Sequence, residues 1–361
     1  MVQNRFNFGL FIGALLIYSG CATVDPYQTF KTDQTFRVEV WNRERAWNGT
    51  TMLSQSFDPG DSMNSRIVEI NMRGEIIWGY DVGAPGSISS VQVLPNNNIL
   101  FSISSGEGRG RPGAKGRASS SAGGAFEVNR KGEIVWKYID NRISHNAVRL
   151  ASGNTLLTAA HSEDLSTWPY RDPQVFEIDP SGHMVWAFHF KDIYGNDPKY
   201  KDIRGTGFAP WTHTNDAIRL PNGNTLVSAR NLNLVIEVNK EGKLIRTFGE
   251  DCLNCAPLGL QVKSGTAGKG GRIVGPHSPV LLPNGNLLVN EPGMGRTLEY
   301  DPSSKRIVWE YGQKIRGRLP EQEGDFLHPR ASQRLPNGNT LIVDSSGQLI
   351  EVTREKEVVW N

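Results

Sequence analysis

Ala217-Ile-Arg-Leu-Pro-Asn-Gly-Asn-Thr-Leu226 decides the fold, because the chain repeats it with small changes. Further copies read Val91-Gln-Val-Leu-Pro-Asn-Asn-Asn-Ile-Leu100, Ala147-Val-Arg-Leu-Ala-Ser-Gly-Asn-Thr-Leu156, Val280-Leu-Leu-Pro-Asn-Gly-Asn-Leu-Leu288 and Gln333-Arg-Leu-Pro-Asn-Gly-Asn-Thr-Leu341, with a degenerate one at Trp47-Asn-Gly-Thr-Thr-Met-Leu53. Two short apolar runs flank Pro-Asn-Gly, which presets φ and then supplies a left-handed position, so each copy predicts two antiparallel strands and a tight turn. A second motif follows every copy, as in Phe126-Glu-Val-Asn-Arg-Lys-Gly-Glu-Ile-Val-Trp136. It is another hairpin, recurring six times and ending at Trp78, Trp136, Trp186, Trp309 and Trp360, with Arg246 in the fourth copy.

Four strands per repeat and six repeats predict an all-β, six-bladed β-propeller with four-stranded blades over residues 36–361. An isolated blade cannot bury both faces; stacked radially, each covers its neighbour, and the recurring Trp fills the seam. The recurring glutamates Glu69, Glu127, Glu177, Glu237, Glu299 and Glu351 fall at one strand position per blade. Repetition of that kind marks structure rather than catalysis. Lettered A to D from the channel outward, strands A and B run in opposite directions, so residues just before A and just after B share one rim.

With 39 glycines and 20 prolines the chain is turn-rich, and charged residues make up 21%. A formal net charge of +2, with no nucleic-acid-binding motif, argues against nucleic acid as a partner. Residues 1–20 read as a signal peptide: Arg5 precedes an apolar run, Phe6 to Tyr18, that is too short to span a bilayer. The run ends Tyr18-Ser19-Gly20-Cys21, which resembles a bacterial lipobox with Tyr18 where Leu is usual. It predicts lipidation of Cys21, a tether over 21–35, and a cell-envelope location on the periplasmic or extracellular face; ordinary secretion is the alternative. Cys252 and Cys255 then meet an oxidising compartment and are a candidate disulfide, with two free thiols or half of a metal site as the other readings.

Four of the seven histidines stand just before strand A in consecutive blades: His145, His213, His277 and His328. His145 and His277 lie five residues before the repeat's Leu and His213 and His328 seven before it, an offset of two that keeps strand facing. Arg230 and His161 follow strand B and belong to the same rim, whereas His183 and His189 do not. A single histidine is usually a hydrogen-bonded structural residue, a reading that suits His328 beside Pro329. Several imidazoles and a guanidinium at one channel mouth suit an anion, a metal, or a nucleophile with electrostatic support. Asn215 and Asp216 apart, the rim offers little for a metal, and a guanidinium repels cations while binding sulfate or phosphate oxygens in pairs. Anion chemistry leads, with no metal and no cofactor required.

Trp211-Thr-His-Thr-Asn-Asp-Ala-Ile-Arg, its continuation to Arg230, and Gly275-Pro-His277-Ser-Pro resemble the bacterial arylsulfate sulfotransferases, which use no nucleotide donor. The resemblance spans roughly residues 85 to 350. It implies transfer of a sulfuryl group from small aromatic sulfate esters to phenols, His277 as the nucleophile that becomes sulfated, and His145, His213 and Arg230 as sulfate binders; Asn215 and His328, from the same rim, are further substrate-binding candidates. Larger members carry an N-terminal β-domain for which this sequence has no room, so their dimer contacts do not transfer. No extra C-terminal strand is left to stitch the ring. Two other classes stay open: a non-catalytic envelope lipoprotein propeller that binds a protein or glycan, and a quinone-dependent dehydrogenase, which six repeats disfavour because it needs eight blades and calcium. The Gly-rich stretch 104–124 reads as a flexible linker or as a basic lid carrying Arg109, Arg111, Lys115 and Arg117. Phe208, Trp211, Trp168 and Tyr170 are candidate stacking partners for a phenol.

Overall fold

The computed structural model describes residues 36–55, 65–82, 87–104, 123–159, 173–200, 212–255, 273–312, 328–345 and 347–361. Residues 1–35, the basic residues of the Gly-rich stretch, His161 and the four rim aromatics lie outside the described residues.

Six antiparallel sheets follow one another along the chain. The first holds β1 (Thr50–Gln55), β2 (Arg66–Asn71) and β3 (Ile76–Asp81); the second β4 (Ser87–Val93), β5 (Ile99–Ser104), β6 (Gly124–Val128) and β7 (Ile134–Ile139). The third holds β8 (Ile143–Arg149), β9 (Thr155–Ala159), β10 (Val175–Ile178) and β11 (Met184–Phe188); the fourth β12 (Thr214–Arg219), β13 (Thr225–Ala229), β14 (Leu234–Val238) and β15 (Leu244–Phe248). The fifth holds β16 (His277–Leu281), β17 (Leu287–Glu291), β18 (Arg296–Asp301) and β19 (Arg306–Gly312); the sixth β20 (Pro329–Arg334), β21 (Thr340–Asp344), β22 (Leu349–Val352) and β23 (Val358–Trp360). This is the six-bladed propeller with four-stranded blades that the repeats predict. Among the described residues the first blade shows three strands, B to D. Residues 36–40 form no ladder of their own, and Trp41 bridges to Trp360 in the outermost strand of the last blade.

The seams explain the repeat's fixed residues. Each Trp donates its indole N–H to the second residue of the C–D turn in the next blade: Trp78 to Arg130 at 3.0 Å, Trp136 to Pro180 at 3.2 Å, Trp186 to Lys240 at 2.7 Å and Trp309 to Arg354 at 3.0 Å. Trp360 closes the ring in the same way, donating to the carbonyl of Met72 in the first blade at 3.0 Å. The glutamates are latches, as the repetition suggested. Glu127 accepts from Asn98 in its own blade's turn, and Glu177, Glu237, Glu299 and Glu351 accept from Asn154, Asn224, Asn286 and Asn339.

Three of these carboxylates also bind an arginine from strand A of the next blade, and that arginine stacks on the seam Trp. Arg149 meets Glu127 at 3.2 Å over Trp136, Arg219 meets Glu177 at 2.6 Å over Trp186, and Arg334 meets Glu299 at 2.7 Å over Trp309. The ion pair is shielded by the ring and the ring gains a cation on its face. At the fourth seam both partners are replaced together: Leu281 stands where blade 5 should offer Arg, and Arg246 stands where blade 4 should offer Trp and binds Glu237 itself at 2.7 Å. A loop closed by the Cys252–Cys255 disulfide fills the gap, packing both sulfurs beside Phe248 and Tyr300. Leu253 N–H donates to Lys305 at 2.8 Å, and Asn254 exchanges two bonds with the backbone of Ile307.

Candidate active site

The inner strand of every four-stranded blade is bulged near the rim, with register shifts at Ile88/Ser90, Ile143/Ala147, Thr214/Asp216, His277/Val280 and Pro329/Ala331. A bulge turns side chains off the regular alternation. Three non-glycine residues here adopt left-handed backbone: His145 (φ 73°), His213 (φ 45°) and Ser278 (φ 45°). Such conformations cost free energy and persist where the surroundings hold them. The bonds that hold them are local to the rim. Ser278 donates its N–H and its hydroxyl to Asp216, at 2.9 and 3.3 Å. Asn215 donates to the Pro276 carbonyl at 3.2 Å, and Asn290 to the carbonyl of His277 at 3.2 Å.

His277 is buried, and its two ring nitrogens have partners of opposite kind. Nδ1 lies 2.8 Å from the carbonyl oxygen of Gly275, which can only accept. Nε2 lies 2.9 Å from Nη1 of Arg330, which can only donate. The tautomer follows: the proton sits on Nδ1 and the lone pair on Nε2. Burial, then Arg330, pushes the imidazole's pKa well below the ordinary 6.5, with Arg230 and His145 acting in the same direction against the Gly275 bond. His277 is therefore a neutral base with its lone pair turned toward a guanidinium.

Gly275 is itself fixed. Its N–H donates to Asn233 at 2.9 Å, and the preceding Val274 N–H donates to Glu291 at 2.5 Å. Glu291 is fully buried and paired with Arg296 at 2.5 Å, which also reaches Glu310 at 2.7 Å. Burial pushes the Glu291 carboxyl's pKa up, against the pull of Arg296 and the Val274 N–H, and those two partners hold it in place.

The structure brings together most of what the sequence nominated. The rings of His145 and His213 meet edge to face with centroids 5.0 Å apart, so the two-residue offset does converge them. Arg230 begins a single 3-10 turn after β13, and its N–H bonds the carbonyl of His213 at 3.3 Å. Burial and then Arg330 lower the Arg230 pKa, so two guanidinium groups share the mouth of the channel. Asn215 serves the backbone of the His277 segment. His328 is tied off elsewhere: its Nδ1 lies 3.1 Å from the Pro292 carbonyl and its N–H donates to Asp344 at 2.7 Å. Arg330, two residues on, is the rim residue that the histidine series missed. Among the described residues no three His, Cys, Asp or Glu side chains group as a metal would require. What the arrangement offers is an unprotonated imidazole nitrogen with two guanidinium groups near it, an electrostatic environment suited to an anion.

Comparison with known proteins identifies the family and the fold. The family model described as Arylsulfotransferase (ASST) matches residues 39–306. No curated protein matches the chain. Among solved structures, a protein of unknown function from Bacteroides caccae is 21% identical, with 85% of this chain and 92% of that chain covered and a TM-score of 0.52, and shares the fold. A virginiamycin B lyase from Staphylococcus aureus is 10% identical over 98% of this chain and 88% of its own, with a TM-score of 0.49.

Proposed function

The chain belongs to the arylsulfotransferase family, which implies aryl sulfate transfer, and on that premise we propose that it moves a sulfuryl group from an aryl sulfate ester to a phenolic acceptor through a sulfohistidine at His277. The observation that carries the reading is the imidazole of His277, neutral, held through Nδ1 by Gly275, with Nε2 facing the cations of the rim. In the first step the Nε2 lone pair forms a bond to sulfur, and the bond from sulfur to the aryl oxygen breaks, its electron pair leaving on the phenolate. In the second, the oxygen of an acceptor phenol bonds to sulfur and the N–S pair returns to Nε2. The acceptor's proton ends on the released phenol, so the enzyme is regenerated unchanged. Arg230, His145 and His213 bind the sulfuryl oxygens and stabilise charge that builds on them, while Asn215 holds the segment carrying His277. We also place the enzyme at the cell envelope, anchored by lipid on Cys21, on the sequence reading of residues 1–21.

His277→Ala abolishes phenol release from a chromogenic aryl sulfate while leaving the fold intact by circular dichroism, and Arg230→Ala slows it by about a hundredfold or more, the usual loss for one preorganised donor. Without an acceptor, the wild-type peptide carrying His277 gains one sulfuryl mass. Full turnover by His277→Ala overturns the mechanism and makes His213 the next nucleophile to test.

A further inference from the structure

Arg330 occupies the place where sulfur has to arrive. Its Nη1 lies 2.9 Å from Nε2 of His277, along the lone pair that would attack, so nucleophile and guanidinium block each other in this state. Arg330 is an exposed residue. It stands open to the channel, and Asp344, the acid that acts on its charge, belongs to the adjoining strand of the same blade. We propose that Arg330 caps the nucleophile until an anionic sulfuryl group draws the guanidinium off Nε2 and onto its own oxygens, so that one residue both protects the lone pair and selects anionic esters. The inference rests on His277 being the nucleophile.

The physics of the exchange favours only one class of substrate. A hydrogen bond from guanidinium to a neutral ring nitrogen is weaker than one to an anionic oxygen, and a sulfuryl group presents several such oxygens in the fork geometry that guanidinium matches. A sulfate ester therefore gains by displacing Arg330, and at the moment of displacement the cation lies beside the oxygens on which charge accumulates. A neutral ester or acylating reagent offers no anion. It has to break the Arg330–His277 bond with no anionic oxygen to take its place, in a site already crowded with Arg230 and His145.

The test reads the cap separately from turnover. Wild-type protein, Arg330→Ala, Arg330→Lys and His277→Ala are treated with diethyl pyrocarbonate, and carbethoxylation of the His277 peptide is followed by mass spectrometry. Each is also given 4-nitrophenyl acetate, whose acetyl group would pass to Nε2 as nitrophenolate leaves. Removal of the cap in Arg330→Ala is expected to speed modification of His277 by about tenfold or more, the factor for one hydrogen bond, and to create acetyl transfer to His277, while aryl sulfate turnover falls. Arg330→Lys, which restores a cation, is expected to slow the modification again and recover part of the turnover, a rescue that a purely structural residue would not give. Equal modification of His277 in wild type and Arg330→Ala overturns the cap, as does aryl sulfate turnover unchanged by Arg330→Ala. Full turnover by His277→Ala overturns the premise instead, a failure that the modification data keep distinct.

Discussion

Replacing Asp216 by Asn should stabilise the protein at neutral pH and do nothing near pH 4. Asp216 faces the channel on β12, walled by protein, and accepts from Asn146 at 3.1 Å as well as from Ser278. Burial pushes its carboxyl from 3.8 up to about 6, against the two Ser278 bonds that pull it down. The unfolded chain therefore releases this proton near 3.8, and the folded one holds it to about 6. Between those values the native state binds more protons than the unfolded state, so stability falls as pH rises through the window and stays reduced above it. A shift of roughly two units corresponds to about 3 kcal/mol, an upper figure because the channel leaves the side chain some contact with water. The amide keeps an acceptor for Ser278, and Asn146, whose Oδ1 has no hydrogen-bond partner among the described residues, can turn to receive the new N–H₂. Urea unfolding of both proteins at pH 4 and pH 7.5 measures the difference, expected to approach 3 kcal/mol at the higher pH and to vanish at the lower. A difference that is the same at both pH values refutes the reasoning. The two Ser278 bonds to the carboxylate hold that residue's left-handed backbone next to His277.

Trp360→Ala removes the ring's closing indole, which is 4% exposed and packs with Leu53, Val68 and Ile70 of the first blade; a loss of about 3–5 kcal/mol is expected by chemical denaturation, with proteolysis starting at the first blade. Mass spectrometry of the membrane-extracted protein should find a lipidated Cys21 as its first residue, and a soluble mature chain beginning elsewhere would rule the anchor out.

Why was Arg330 not visible when His277 was? Counting back from the repeat's Leu answers it. The position five residues before Leu150, Leu220, Leu282 and Leu335 holds His145, Asn215, His277 and Arg330, and the position seven before holds His213 and His328 in the fourth and sixth blades. Both slots share a facing, so attention to histidines alone selected His328 and passed over the arginine two residues later. The bulge at Pro329/Ala331 then sends His328 to Pro292 and Arg330 to His277, a choice made by backbone geometry that residue type does not announce. The blades were legible because their side-chain period is repeated six times over, and repetition averages out local ambiguity. Ring closure was not, since residues 39–42 join the last blade largely through backbone bonds that no side-chain pattern announces: Glu39 N–H to Asn361 and Asn42 N–H to Val359, at 2.9 and 2.8 Å. Nor was the fourth seam. Arg246 and Leu281 each look like a lapse in the repeat, and become one substitution only when the fold sets them on the same interface, with the disulfide loop filling the space that the missing Trp leaves.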